Sequence, residues 1–203
     1  MEQRFGTNRI DLEVLRDFCE REGQCVVYRK GEQMEREGAP SRWFGFVAEG
    51  CFKYTVRSIS ERLRVGASAG IDREHITWFS FEGEFVTDYP NCLDGRPAQA
   101  SIEAMFFSRV FRVSGEQLTG FFRQDAEKVE LRSIIAEHVL RQRNQSYLDF
   151  HRATPLERYE LLLRRCPGIA HHLSLNAIAS FLCVTPQQLS RIRKAVTFSA
   201  NNL

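Results

Sequence analysis

A chain of 203 residues, 43% hydrophobic and 27% charged, can hold one large or two small domains, each with its own core. No apolar run reaches the roughly 20 residues that span a bilayer, and Met1-Glu2-Gln3-Arg4 leads into no signal-like apolar stretch, so a cytoplasmic protein with no membrane partner is expected. The net charge of +2 conceals an asymmetry: residues 150–203 carry seven Lys/Arg against two Glu, while residues 1–149 carry 21 basic against 24 acidic groups, a distribution suited to nucleic-acid contact at the C-terminal end.

The six cysteines, Cys19, Cys25, Cys51, Cys92, Cys166 and Cys183, are scattered and form no C-x-x-C pair. Zinc and iron–sulfur sites want clustered thiolates. Free thiols and no metal are therefore expected, with no cofactor and no readable effector.

In chain order, residues of about 10–21 have helical periodicity, with Leu12, Leu15, Phe18 and Cys19 on one face. From Cys25 to Val113 the chain reads as short β-branched and aromatic strands, at 24–28, 43–48, 51–56, 75–79, 101–105 and 109–113. Lys30-Gly31-Glu32, Glu49-Gly50, Gly66 to Gly70, Glu82-Gly83-Glu84 and Asp94-Gly95-Arg96-Pro97 punctuate them. Many short strands at regular spacing predict a double-sheet jelly roll, or β-roll.

Helical periodicity takes over near Gly115. A short helix is expected over 117–122 and a long one over about 125–150, with Leu131, Ile134, Ile135, His138, Val139 and Gln142 as its stripe. Some 25 helical residues span roughly 38 Å, more than a small domain needs, so a symmetry-related partner helix is expected. Thr154 caps the next helix, Pro155 takes its first position and Glu157 lies three residues after the cap. Leu156, Tyr159, Leu162 and Leu163 give that helix a buried face, and Cys166-Pro167-Gly168 stops it. His171-His172-Leu173-Ser174 reads as an extended lead, with Ser174 as the cap of a helix beginning at Leu175.

Leu175 to Lys194 has the spacing of a helix-turn-helix. Ile178, Leu182, Val184, Leu189 and Ile192 are the apolar positions, and small Ala179 allows close approach. Thr185 can cap the second helix ahead of Pro186. The outward face carries Gln187, Gln188, Ser190, Arg191, Arg193 and Lys194, the amides and guanidinium groups that read base edges or hold phosphates. Gln187, Gln188 and Arg191 are the base-reading candidates, and Ser190, Arg193 and Lys194 the phosphate contacts. Cys183 stands in the turn, where glycine best tolerates a left-handed backbone.

This order resembles the CRP/FNR superfamily of bacterial transcription regulators along nearly the whole chain. Phe81-Glu82-Gly83-Glu84-Phe85, Ser101-Ile102-Glu103-Ala104, Thr154 to Tyr159 and Leu175 to Lys194 carry the resemblance. It implies an α+β architecture: a cyclic-nucleotide-binding-like β-roll over residues 1–113, a helical linker and dimerisation helix over 114–150, and a winged-helix-like helix-turn-helix domain over 151–203. It also implies a homodimer on a palindromic site in double-stranded DNA, with Thr185 among the DNA-contacting residues and RNA polymerase as a further partner.

The family's phosphate-binding cassette pairs Gly-Glu with a later Arg-Ser/Thr-Ala. Here Gly83-Glu84 is followed by Ala98-Gln99-Ala100. A buried cyclic phosphate needs a charge partner, best a bidentate arginine, and Arg96 stands two residues early. A ligand pocket would therefore draw on Gly83, Glu84, Phe85, Arg96, Gln99 and Ala100 without gating by cyclic AMP. Two other readings compete. A cupin-like metal-dependent enzyme needs several histidines on the roll, where only His75 is found. A ligand-sensing scaffold that has lost DNA recognition is the other.

Overall fold

The computed structural model describes residues 12–57, 74–166 and 168–200; the expected breaker at Gly66 to Gly70 and the expected helical positions Ile10 and Asp11 lie outside them. Helix α1 spans Glu13–Glu22, with Glu13 in its first turn and Arg21 in its last, each complementing the helix dipole. Leu15, Phe18 and Cys19 are its buried face.

Eight strands follow: β1 Gln24–Tyr28, β2 Gln33–Glu35, β3 Trp43–Glu49, β4 Cys51–Arg57, β5 Glu74–Phe81, β6 Phe85–Thr87, β7 Ser101–Ala104 and β8 Ser108–Ser114. They form two four-stranded sheets, ordered β1-β8-β3-β6 and β2-β7-β4-β5. The first sheet is antiparallel along its length, with Val26 opposite Val110, Phe46 opposite Phe111 and Gly45 opposite Val86. All six expected strands are present. The two additional ones, β2 and β6, are three residues each, too short for an alternating pattern to show.

By packing, the chain divides into two compact units, Met1–Phe52 with Ser80–Asn144, and Lys53–Phe79 with Gln145–Leu203. In the first unit, α1 and helix α2 (Gly115–Phe122) close on the first sheet. Leu15, Phe18, Phe44, Val113, Leu118, Phe121 and Phe122 form the core, and the Phe18 and Phe121 rings stack at 4.3 Å. Burying each such side chain contributes on the order of 1.5–3 kcal/mol. Ser114 and Gln117 make a reciprocal capping box at the start of α2. Gly115 is obligatory there, because a Cβ would sit 1.7 Å from the Cys92 carbonyl oxygen.

Helix α3, Ala126–Arg152, runs 27 residues. Its expected stripe divides. Ile135 is buried in the core of the first unit, and Leu131 and Val139 pack against that core, whereas Ile134 is 39% exposed. Helix α4, Pro155–Arg165, starts with the expected capping box: Glu157 N–H donates to Thr154 Oγ1 and Thr154 N–H to Glu157 Oε2. Tyr159 and Leu162 are buried, but Leu156 is 39% exposed, so the buried face starts one turn later than expected.

In place of an extended lead, His171-His172 closes a single helical turn, α5, Ile169–His172. Gly168 allows this by opening the turn at φ 86°. Helices α6, Leu175–Phe181, and α7, Pro186–Ala200, complete the second unit. Strand β5 packs with these helices: Phe79 and Phe181 meet edge to face at 4.9 Å, the Arg165 guanidinium lies 4.6 Å over Trp78, and His75 Nδ1 lies 3.0 Å from Ser180 Oγ. Every described element after Arg152 is helical, so the expected wing is not among the described residues.

Burial pushes the Cys19 thiol up to about 12 and Cys92 to about 11. Both stay protonated in the folded state where an unfolded chain ionises them, so stability falls as pH rises from about 9 through these values. In native protein at pH 8, Cys25 and Cys183, both exposed, alkylate with iodoacetamide while Cys19 and Cys92 react only after denaturation; mass spectrometry of the labelled chain reads the difference.

Candidate nucleic-acid interface

Helices α6 and α7 cross over a small apolar contact. Ile178, Ala179, Leu182 and Leu189 are each at most 1% exposed. Ser174 caps α6 by accepting the Ala177 N–H at 3.1 Å. The helix ends with Val184 N–H on the Ala179 carbonyl at 2.9 Å and Cys183 N–H on the Ser180 carbonyl at 3.1 Å. Those two bonds are the Schellman pattern, whose residue after the cap takes the left-handed conformation. Cys183 occupies that position at φ 52°, the one non-glycine residue with positive φ among those described.

At the start of α7, Thr185 Oγ1 accepts Gln188 N–H at 3.2 Å and Gln188 Oε1 accepts Thr185 N–H at 2.9 Å. Sequence reasoning found the Thr185 cap and missed its reciprocal half. The signal was there, a glutamine three residues after a threonine, but the same amide also suited base reading. Gln187, Gln188, Arg191 and Lys194 are exposed, and Ser190 and Arg193 are half-buried. Because Leu189 anchors the opposite side of the helix, the exposed set shares one outward face.

The expected ligand-pocket residues are engaged separately. Gly83 makes a turn at φ 81° and donates its N–H to the Val47 carbonyl. Glu84 turns back to accept the Phe81 N–H at 3.2 Å. The Phe85 ring packs on Phe44 and Phe46. Arg96 Nε donates to Asp94 Oδ2 at 2.8 Å, with the arginine side chain 72% exposed. Ala98 and Ala100 are buried, and the Ala98 N–H and C=O pair with Ala39 and Gly38. The Gln99 N–H donates to Asp88 Oδ2 at 2.8 Å.

No family model matches the chain, and no curated protein matches it. Solved structures do. FixK2 from Bradyrhizobium japonicum superposes with a TM-score of 0.67 at 20% identity, over 88% of this chain and 86% of its own. The c-di-GMP responsive global regulator CLP of Xanthomonas campestris gives 0.62 at 14% identity, over 94% and 93%. A protein described as a transcriptional regulator of the CRP/FNR family from Eubacterium rectale gives 0.64 at 11% identity, over 92% and 83%. The chain has a CRP/FNR-like fold.

Within this CRP/FNR-like fold, α3 leaves a second row of side chains uncovered. Val129, Leu140 and Tyr147 are 53%, 71% and 61% exposed. With exposed Ala136, they recur at spacings of seven and four, the seam of paired helices. No group of three or more His, Cys, Asp or Glu able to hold a metal occurs among the described residues, and none of their helices is long and apolar enough to cross a membrane.

The left-handed turn yields a direct prediction. Cys183→Gly removes the Cβ penalty of about 1–2 kcal/mol and adds back some chain entropy, so it raises stability by up to about 1 kcal/mol, read as a higher urea midpoint with unchanged slope.

Proposed function

We propose that this protein is a DNA-binding transcription regulator of the CRP/FNR type, working as a cytoplasmic homodimer and not as an enzyme. The observation that carries the reading is the exposed polar face of α7, Gln187, Gln188, Arg191 and Lys194, held outward by a fully buried Leu189. In this reading α6 and α7 are the helix-turn-helix and α7 enters the major groove. Gln187 and Arg191 read base edges, glutamine suiting adenine and arginine suiting guanine. Gln188 offers the DNA its amide N–H₂ and the remaining lone pair of an oxygen that already caps α7. Ser190, Arg193, Lys194 and the Thr185 end of the helix meet phosphate.

The two sheets are then a jelly roll of the cyclic-nucleotide-binding type. It is not gated by cyclic AMP, since alanine stands where the cassette's arginine is expected and Arg96 is paired outward. Helix α3 pairs with its symmetry mate through Val129, Ala136, Leu140 and Tyr147, the row left exposed, and not through the stripe that Leu131 and Ile135 head. The mate helix would set two copies of α7 one duplex turn apart, about 34 Å, on a near-palindromic site. RNA polymerase is the expected further partner of such a regulator.

Selection of a binding site from random duplexes, followed by titration, tests the reading. Arg191→Ala weakens the selected site by about 1–3 kcal/mol and relaxes preference at one base pair; unchanged affinity and preference contradict the assignment. Leu140→Glu places a charge in the proposed seam. Sedimentation should show a dimer for the parent chain and a monomer for the variant, with weaker DNA binding by that variant.

A further inference from the structure

The loop between β6 and β7 holds a carboxylate where two donors converge. Asp88 Oδ2 accepts the Gln99 N–H at 2.8 Å and the Asn91 Nδ2 amide at 3.0 Å. Asp88 also accepts the Cys92 N–H on its main-chain carbonyl at 3.1 Å, which fixes it at the entrance to the short 3₁₀ turn Asn91–Leu93. Asn91 is only 9% exposed. A backbone N–H and a buried side-chain amide directed at one oxygen form a small anion cradle, since hydrogen bonds to a charged acceptor are the strong ones. The flanking Ala98 and Ala100 are 3% and 8% exposed, and the nearby cation, Arg96, is engaged by Asp94.

We propose that Asp88 is an internal ligand: its carboxylate occupies the anion position of this loop, so the β-unit is satisfied without an exogenous phosphate. A phosphate oxygen and the Asp88 oxygen would compete for the same two donors. The proposal concerns the β-unit alone and stands or falls separately from the DNA reading.

Amide exchange and NMR titration of the full chain test it, with inorganic phosphate and cyclic AMP as separate probes. In the parent protein the Gln99 amide is protected and neither probe moves it at millimolar concentration. In Asp88→Ala, Gln99 exchange accelerates by roughly ten- to hundredfold, the loss of one charged hydrogen bond, and inorganic phosphate shifts the Gln99 and Asn91 side-chain amide signals saturably. Asp88→Asn keeps the shape and one acceptor oxygen, so it preserves the fold and gives an intermediate acceleration should the alanine variant unfold. Three results overturn the proposal: a saturable shift of Gln99 by either probe in the parent protein, equal Gln99 protection in the parent and the variants, or a folded Asp88→Ala whose Gln99 ignores phosphate. A shift by cyclic AMP alone in the parent would mark an open nucleotide site in place of an internally filled one.

Discussion

The contact between α6 and α7 is the constraint on which the rest depends. Four residues, Ile178, Ala179, Leu182 and Leu189, exclude water almost completely, and truncating one such leucine or isoleucine typically costs about 2–5 kcal/mol. The turn that brings the helices together asks Cys183 for a left-handed backbone, a strain of about 1–2 kcal/mol. Burial exceeds strain, and the two Schellman bonds satisfy carbonyls that would otherwise end α6 unpaired. A glycine is therefore not required for the turn to exist. Once Leu189 is fixed inward, the helical period leaves Gln187, Gln188, Arg191 and Lys194 no other direction than outward.

The β-unit obeys a different logic. Three polar groups around the expected pocket find partners close by: Glu84 on its own turn, Arg96 on Asp94, and the Gln99 N–H on Asp88. A pocket built for a buried phosphate leaves donors waiting, because the ligand is what satisfies them. Here these loop groups are engaged with one another, which is the arrangement the proposed independence from a cyclic nucleotide requires.

Much of this is legible in the sequence, and the parts that are not have definite reasons. The Thr154 and Ser174 caps depend only on residues three apart, and both are as expected. Strands β2 and β6 escape because three residues carry no period, and Gln33-Met34-Glu35 reads as polar chain although Glu35 is 5% exposed and accepts two backbone N–H groups. Helix α3 has apolar residues on two faces. Spacing alone cannot say which face its own domain covers, and the denser one, at Leu131, Ile135 and Val139, is internal. His171-His172 lacks any cap signal except Gly168. Asp88 is invisible for a simpler reason: an aspartate before Tyr-Pro-Asn looks like a solvated turn, and only the fold brings Gln99 to it.

The measurement that bears most directly on the central claim is the salt dependence of binding to bulk duplex DNA, read by fluorescence anisotropy between about 50 and 200 mM salt. In the proposed dimer, Arg193 and Lys194 of each subunit engage about four phosphates, which predicts a linear fall of log K against log salt with a slope of about −3.6. A flat profile, or no binding at the lowest salt, would contradict an outward α7 face that meets DNA.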